Sequence, residues 1–141
     1  MIYDLTNHYC KPVIGRKSMT QEELKQRTKQ FALRVIRLVD SLPRSPVGKI
    51  LGNQLLRCGT SIGANYRAAC RGRSTADFVA KLGIVIEESD ESLYWMELIL
   101  DSKLVKVNRM DRIMQEADEL TAIFTAAVVT TKKKSLRNQK S

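Results

Sequence analysis

Cysteine and histidine are the residue types with the clearest capacity for metal or nucleophilic chemistry, and both are scarce in this sequence. The chain has three cysteines, Cys10, Cys58 and Cys70, and a single histidine, His8. No two cysteines form a C-x-x-C pair, and a structural zinc site requires four cysteine or histidine ligands. An odd number of scattered cysteines also argues against a disulfide framework. We therefore expect free thiols, no metal ion and no cofactor.

Carboxylates and a general base are the other groups that would support catalysis. Di-iron sites in helical bundles use Glu-x-x-His pairs, but no histidine follows His8. Glu87 and Glu91 are four residues apart, and with Glu116 or Asp118 they could form a site of carboxylates alone. Ion pairs with nearby lysines and arginines are the simpler expectation. Since His8 is also the only base for a cysteine or serine nucleophile, the sequence predicts a protein without enzymatic activity.

Positive charge is the strongest functional signal. The chain has 24 lysines and arginines against 15 acidic residues, a net charge of +9. Between Pro43 and Ser74 no acidic residue occurs, and the candidate phosphate-binding residues in this segment are Lys49, Arg57, Arg67, Arg71 and Arg73. A guanidinium presents a planar fork of N–H donors that suits phosphate oxygens. The pattern predicts contact with RNA or DNA through backbone phosphates.

Four of these cations, Lys49, Arg57, Arg67 and Arg71, are expected near one side of the predicted helix. Such a basic stripe has a second interpretation, as a face that is solvated or paired with carboxylates. Between residues 77 and 101 there are seven acidic residues against one lysine, Lys81. The basic segment could meet this acidic segment or an acidic protein partner, and the protein would then be an interaction scaffold. Salt-dependent retention on RNA and on DNA would distinguish the two interpretations.

Three further residues are singled out by type and position. Ser61 and Asn65 are four residues apart among apolar neighbours, so we expect a buried hydrogen-bonding point that fixes helix register. Direct contact with a ligand is the alternative for this pair. Trp95 is expected in the core or at a subunit interface, and stacking on a nucleic-acid base is its alternative.

Length and composition indicate one globular domain. The 141 residues are 43% apolar and 28% charged, and the few glycines and prolines favour helices over strands and turns. We expect residues 1–19 to form a flexible N-terminal arm and residues 20–131 to form the folded domain. Residues 132–141 are expected to form a basic C-terminal tail that frays. The longest apolar stretch, 122–129, is too short to span a membrane. We expect a cytoplasmic protein without membrane contact.

Four helices are predicted from capping residues and apolar periodicity. Their starts are expected at Thr20, Ser45, Ser74 and about Asn108, and the first is a capping box completed by Glu23. Apolar residues then recur at spacings of three and four. Four amphipathic helices with short connections bury their apolar faces as an all-α, antiparallel up-down-up-down four-helix bundle. A solenoid of helix pairs is the alternative.

Glycines at one side of the second predicted helix require an explanation. Gly48, Gly52, Gly59 and Gly63 are spaced by four, seven and four residues. Each costs about 1 kcal/mol relative to alanine in a helix interior, so close packing by another element should offset the loss. A helix of the same bundle and a second subunit are the two candidates. The spacing of a nucleotide-binding glycine loop is absent.

Several of these residues match a known family. The segment 61–69 has the sequence SIGANYRAA, and Ser74, Asp77, Phe78, Lys81, Leu82, Glu87, Glu91, Tyr94 and Trp95 follow it. With these motifs, residues 20–131 resemble the four-helix-bundle proteins encoded in intervening sequences of bacterial 23S rRNA genes. The combination of S-I-x-x-N and D-F-x-x-K-L is the most specific part. This chain has Ala68 where the family usually has glutamate.

The resemblance implies a small bundle that assembles into a ring-like homopentamer, with proposed nucleic-acid binding and no assigned enzymatic activity. A related protein is the accessory variability protein of diversity-generating retroelements, a basic pentamer that serves a reverse transcriptase and its template. The resemblance therefore favours a basic oligomer that binds nucleic acid. A retroelement accessory protein that binds a reverse transcriptase is the alternative. Any polar contact made by the family glutamate is absent or replaced at Ala68.

Overall fold

The computed structural model describes residues 19–140 and confirms the predicted all-α bundle. Of the arm predicted at 1–19, residues 1–18 with His8 and Cys10 lie outside the described residues, as does Ser141. The four helices are α1 (Gln21–Asp40), α2 (Pro46–Cys70), α3 (Thr75–Asp101) and α4 (Val107–Lys140). Each helix packs against the next in sequence, and α1 also contacts α4. The short connections make consecutive helices antiparallel.

Capping side chains set the first three helix starts where the sequence predicts them. The Thr20 hydroxyl accepts a hydrogen bond from the Glu23 amide at 3.1 Å, and the Glu23 carboxylate accepts one from the Thr20 amide at 2.7 Å. Ser45 and Ser74 each accept a hydrogen bond from the amide three residues later, at 3.1 Å. Pro46 occupies the first turn of α2, where its missing N–H is not needed.

The core is built from large apolar side chains of all four helices. Phe31 of α1, Leu55 of α2, Leu82 of α3 and Phe124 of α4 are almost completely buried. Four polar side chains are buried with them, namely Thr28, Ser89, Ser92 and Thr121. Each of these hydroxyls lies within hydrogen-bonding distance of the carbonyl oxygen four residues earlier. These polar groups are therefore satisfied within their own helices.

Gly52, Gly59 and Gly63 of α2 face α1 and its C-terminal end, and Gly48 faces the connection between α1 and α2. A Cβ atom added at Gly59 would lie 2.9 Å from both methyl carbons of Val35. At Gly63 it would lie 3.2 Å from the Thr28 hydroxyl oxygen. The glycines thus allow close packing of α1 on α2, and the intrachain explanation of their spacing is confirmed.

The fourth helix is longer than the sequence predicts. Residues 132–140, expected to fray, continue α4 to Lys140. Lysine, leucine, arginine and glutamine are good helix formers, so the helix continues although Phe124 is its last buried residue. The antiparallel order places this extension at the end of the bundle where α2 finishes. No helix within the described range is long and apolar enough to cross a membrane.

Candidate nucleic-acid interface

The five candidate cations of the α2 region do not form the single surface expected from the sequence. Lys49 and Arg67 line grooves between α1 and α2, whereas Arg57 extends toward α3. Eight residues of an α-helix turn by about 80° beyond two full rotations. Arg57 is therefore rotated away from Lys49, while Arg67, eighteen residues after Lys49, returns to the same side. The predicted basic stripe is therefore divided among three places: Lys49 near the start of α2, Arg57 beside α3, and Arg67 with Arg71 and Arg73 where α2 finishes.

Arg57 is bound to the acidic helix. One guanidinium nitrogen lies 2.5 Å from Glu91 Oε1, and another lies 3.8 Å from Glu88 Oε1. Glu91 Oε1 also accepts a hydrogen bond from the Trp95 indole N–H at 3.2 Å. For Arg57, pairing with carboxylates of the same chain is thus the correct interpretation. A guanidinium already held by two carboxylates is a poor candidate for phosphate binding.

Trp95 is half-buried and packs against the core. Its ring meets the ring of Tyr94 edge-on, with centroids 5.2 Å apart. The indole therefore has a packing partner and a hydrogen-bond acceptor within its own chain. Tyr94, by contrast, is 53% exposed.

A group of buried polar atoms lies beside the ion pair of Arg57 and Glu91. Glu88 Oε2 is buried and has no hydrogen-bond partner among residues 19–140, and burial raises the pKa of the Glu88 carboxyl. The Cys58 thiol is buried nearby, with its sulfur 3.2 Å from the Ser92 hydroxyl oxygen. Burial also raises the pKa of the Cys58 thiol. A thiol in this environment has low thiolate content at neutral pH.

Ser61 and Asn65 do not form the buried pair that the sequence predicts. Both side chains are half-buried. The Ser61 hydroxyl donates to the Arg57 carbonyl oxygen at 2.6 Å, and the Asn65 amide donates to the Ser61 carbonyl oxygen at 2.9 Å. Both bonds stay within α2, because a spacing of four also matches the backbone repeat of a helix. The pair therefore does not fix the register between helices.

The remaining predicted arginines gather at one end of the bundle. Arg67, Arg71 and Arg73 are exposed where α2 finishes. The extension of α4 reaches the same end and adds further exposed cations. We call this set the basic end: Arg67, Arg71, Arg73, Lys132, Lys133, Lys134, Arg137 and Lys140. None of these eight forms an ion pair with another residue of the described chain.

The acidic residues at this end are engaged with other groups. Glu22 pairs with Lys25 at 2.9 Å, and Asp77 pairs with Lys81 at 3.2 Å. Glu23 serves the capping box of α1. The positive charge of the basic end is therefore left available to an external anion.

A groove of about 520 Å³ between α1 and α2 borders the basic end. Its lining includes Lys25, Lys29 and Arg67, together with the small residues Gly63 and Ala64. Glu22 lines the same groove through its pair with Lys25. The groove extends the positive surface of the basic end along the bundle.

Four arginines between α1 and α4 were missed by the sequence analysis. Arg34 and Arg37 of α1 line a groove of about 250 Å³ with Arg109 of α4. Arg34 also lines an adjoining groove of about 380 Å³ with Arg112. We call these four residues the arginine groove. Arg34 and Arg37 are three residues apart, and so are Arg109 and Arg112, but 75 residues separate Arg34 from Arg109. Only the antiparallel order of α1 and α4 could have connected the two pairs.

Two of the carboxylates considered for a metal site, Glu91 and Glu116, have other partners. Glu91 binds Arg57, and Glu116 accepts two hydrogen bonds from the Arg27 guanidinium, at 2.6 and 2.9 Å. Glu119 also pairs with Arg27, at 2.5 Å. The Arg27 hydrogen bond holds the pKa of Glu116 below its ordinary value. Within residues 19–140 no three histidine, cysteine, aspartate or glutamate side chains lie close enough to hold a metal ion.

Comparisons with known proteins agree with this architecture. A family model described as 23S rRNA-intervening sequence protein matches residues 20–126. The fold is similar to the crystal structure of a protein of unknown function from the S23 ribosomal protein family of Bacteroides thetaiotaomicron VPI-5482, with a TM-score of 0.73 and 31% identity. The match covers 78% of this chain and 98% of that chain. No curated protein matches the chain. The chain therefore belongs to the 23S rRNA-intervening sequence protein family, as its motifs predict.

Proposed function

We propose that this protein is a non-enzymatic, basic bundle that binds RNA or DNA mainly through backbone phosphates at the basic end. The observation that supports this function is the gathering of eight exposed cations, none in an ion pair within the described chain, at one end of the molecule. Lysine and arginine contacts to phosphates supply most of the affinity of sequence-independent binding. The description of the family, which refers to intervening sequences of 23S rRNA, is consistent with a role close to nucleic acid.

The proposed contact is with the backbone and not with the bases. Among residues 19–140, Tyr94 is the exposed aromatic side chain, and it lies on α3, away from the basic end. Base recognition requires side chains that reach groove edges or stack on bases. Affinity is therefore expected to vary little with nucleotide sequence.

Assembly into a cyclic homo-oligomer, most simply the homopentamer implied by the family resemblance, is part of the same proposal. Exposed apolar side chains on α1 and the first two turns of α2 support it. These are Leu33, Ile36, Val47 and Ile50, with 37% to 63% of their surface exposed. Exposed apolar patches mark interaction surfaces. A ring would repeat the basic end and multiply its phosphate contacts.

An acidic protein is the second candidate partner for the basic end. The pairing of Arg57 with Glu91 at 2.5 Å is the observation that favours it, because it is an arginine of α2 bound to a carboxylate. The protein would then be an interaction scaffold, or a retroelement accessory protein that binds a reverse transcriptase. Sequence-independent affinity for naked nucleic acid separates the two candidates.

The experiment measures binding of fluorescein-labelled 24-base-pair RNA and DNA duplexes and of the corresponding single strands, at several KCl concentrations. Replacing Arg71 and Arg73 by alanine is expected to weaken binding. The slope of log affinity against log salt should become less negative by about 0.9 for each duplex phosphate that is no longer neutralised, or about 0.7 on single strands. Deletion of residues 132–141 is expected to act in the same direction.

The matched control replaces Arg57 and Lys106 by alanine. This change also removes two positive charges, but Arg57 is paired with carboxylates and Lys106 lies in the connection at the opposite end of the bundle. Affinity and salt slope are expected to stay close to those of the wild type, with helical content checked by circular dichroism. Absence of wild-type binding to all four probes at 50 mM KCl would contradict the proposed function.

A further inference from the structure

The arginine groove lies away from the basic end and has no role in the function proposed above. Arg37 is in the last turn of α1, and Arg109 is in the first turn of α4. From Arg112 to Lys132, α4 rises by about 30 Å at 1.5 Å per residue. The groove and the basic end are therefore separate positive surfaces near opposite ends of the bundle.

The arginine groove has a net positive charge because Arg27 binds the carboxylates that border it. Glu116 and Glu119 border the groove, and both are bound by Arg27. Arg34, Arg37, Arg109 and Arg112 form no ion pair with any residue of the described chain. Counting these four with Arg27 and the two glutamates gives five positive and two negative charges, a net charge of +3.

The packing of the bundle places these four arginines along two adjoining grooves that have Arg34 in common. Arg34 is half-buried and borders both adjoining grooves, so it is the central residue of the set. Buried Leu38 and Ile113 form an apolar wall beside Arg34, Arg37 and Arg109. Limited access of water on one side strengthens the interaction of a guanidinium with an anion.

The helical face of α4 connects the groove to the basic end. One side of α4 presents residues at spacings of three and four. This side carries Arg109 and Arg112 at its start, Glu116 and Glu119 next, and Lys134 and Arg137 at its end. Cations thus occupy both ends of one side of the helix, with the carboxylates bound by Arg27 between them. A linear polyanion lying along α4 would meet both positive surfaces.

We infer that the arginine groove is a second phosphate-binding surface, which contacts the backbone of the same nucleic acid that binds at the basic end. This inference rests on the proposed function. Arginine is suited to the site because its fork can donate two parallel hydrogen bonds to one phosphate. Two open grooves arranged along the helices fit successive phosphates of a strand better than one enclosed small molecule.

The test compares two double variants on a fluorescein-labelled 24-base-pair DNA duplex, which is about 80 Å long at 3.4 Å per base pair. Replacing Arg34 and Arg37 by alanine is expected to reduce affinity by at least about tenfold at 100 mM KCl. The salt slope should become less negative by about 0.9 for each phosphate that the variant no longer neutralises. The matched control replaces Arg44 and Lys106 by alanine. Both are exposed cations in the connections at the same end of the bundle, and we expect the affinity and the salt slope of this control to change much less.

Variants of the basic end distinguish the failure of this inference from the failure of the proposed function. If Arg71→Ala with Arg73→Ala weakens binding and the groove variant behaves like its control, the groove inference is wrong and the proposed function stands. If the wild type binds none of the four RNA and DNA probes, both are wrong, and if it binds RNA alone, the comparison is made on the RNA duplex. Reduced affinity in both variants, with salt slopes that change additively, is the expected result.

Two further measurements separate the nucleic-acid backbone from other occupants of the groove. Titration with inorganic pyrophosphate, followed by calorimetry, tests for a small phosphate ligand. Pyrophosphate binding that requires Arg34 and Arg37, with DNA affinity unchanged in the variant, would overturn the assignment. Light scattering tests for a subunit interface, and a lower mass of the groove variant than of the wild type would also overturn it.

Discussion

At the scale of single residues, the hydrogen bonds between Arg27 and Glu116 join the first helix to the last. Because this interaction lowers the pKa of Glu116, its stabilisation is complete above the unfolded glutamate pKa of about 4.3 and disappears as the pH falls through the lower folded value. We expect Glu116→Gln to reduce the free energy of unfolding by about 1–2 kcal/mol at pH 7. Urea denaturation at pH 7 and pH 2.5 tests this, and an equal reduction at both would contradict it.

Glu88 is expected to show the opposite behaviour. Burial raises the pKa of its carboxyl, so the folded state favours the protonated form, and this contribution to stability is lost as the pH rises through the raised folded value. The buried Oε2 atom also has no hydrogen-bond partner in the described chain. We expect Glu88→Gln to increase the free energy of unfolding at pH 7 by about 1 kcal/mol. The exposed neighbour Glu87 supplies the control, since Glu87→Gln should change stability by less than about 0.5 kcal/mol.

At the scale of helices, alanine substitution is expected to have opposite effects on stability at Gly59 of α2 and at Gly83 of α3. A Cβ atom at Gly59 would lie 2.9 Å from Val35 side-chain atoms, whereas a Cβ atom at Gly83 would meet no atom within 4 Å. Gly59→Ala is expected to destabilise the bundle by about 1–3 kcal/mol through overpacking. Gly83→Ala should stabilise it by about 0.5–1 kcal/mol through helix propensity alone. Thermal melts of both variants test this, and stabilisation by Gly59→Ala would contradict the close contact of α1 and α2.

The helices themselves were predictable because their signals are local. The N-caps of three helices were predicted correctly at Thr20, Ser45 and Ser74, and the spacing of apolar residues predicted the four-helix bundle. The depth and partner of a side chain are not local properties. Asn65 was assigned to the correct helix but bonds its own backbone, and Arg57 could be assigned to a partner only once α3 was placed beside it.

The candidate site was predictable only where it lies on one segment. Arg67, Arg71 and Arg73 were found because they follow one another along α2 and its connection. Arg34 and Arg109 contribute to a common groove through the contact of α1 with α4, and no short window of sequence contains both. The extension of α4 was underestimated because residues 132–140 lack an apolar face, although their intrinsic helix propensity is high.

At the scale of the whole molecule, the exposed apolar side chains of α1 and α2 predict self-association. Five chains of 16.0 kDa would give a mass of about 80 kDa. We expect light scattering at micromolar concentration to give a mass several times that of one chain. Ile50→Glu should lower this mass, because Ile50 is 63% exposed within the chain and a charge would be placed in an apolar contact. Ile84→Glu introduces the same charge on α3, where Ile84 is 42% exposed, and is expected to leave the mass unchanged.

The assembly state and nucleic-acid binding should be coupled if the basic end acts from several subunits at once. Each subunit that contacts the same strand adds its own phosphate contacts, so the salt slope of an assembly exceeds that of one chain. Ile50→Glu is therefore expected to reduce both the mass and the steepness of the salt dependence, although it removes no cation of the basic end. Ile84→Glu makes the same change in net charge on α3 and should alter the slope much less. A wild-type mass near 16 kDa would refute assembly, and an unchanged slope in a dissociated Ile50→Glu variant would show that one subunit supplies all the contacts.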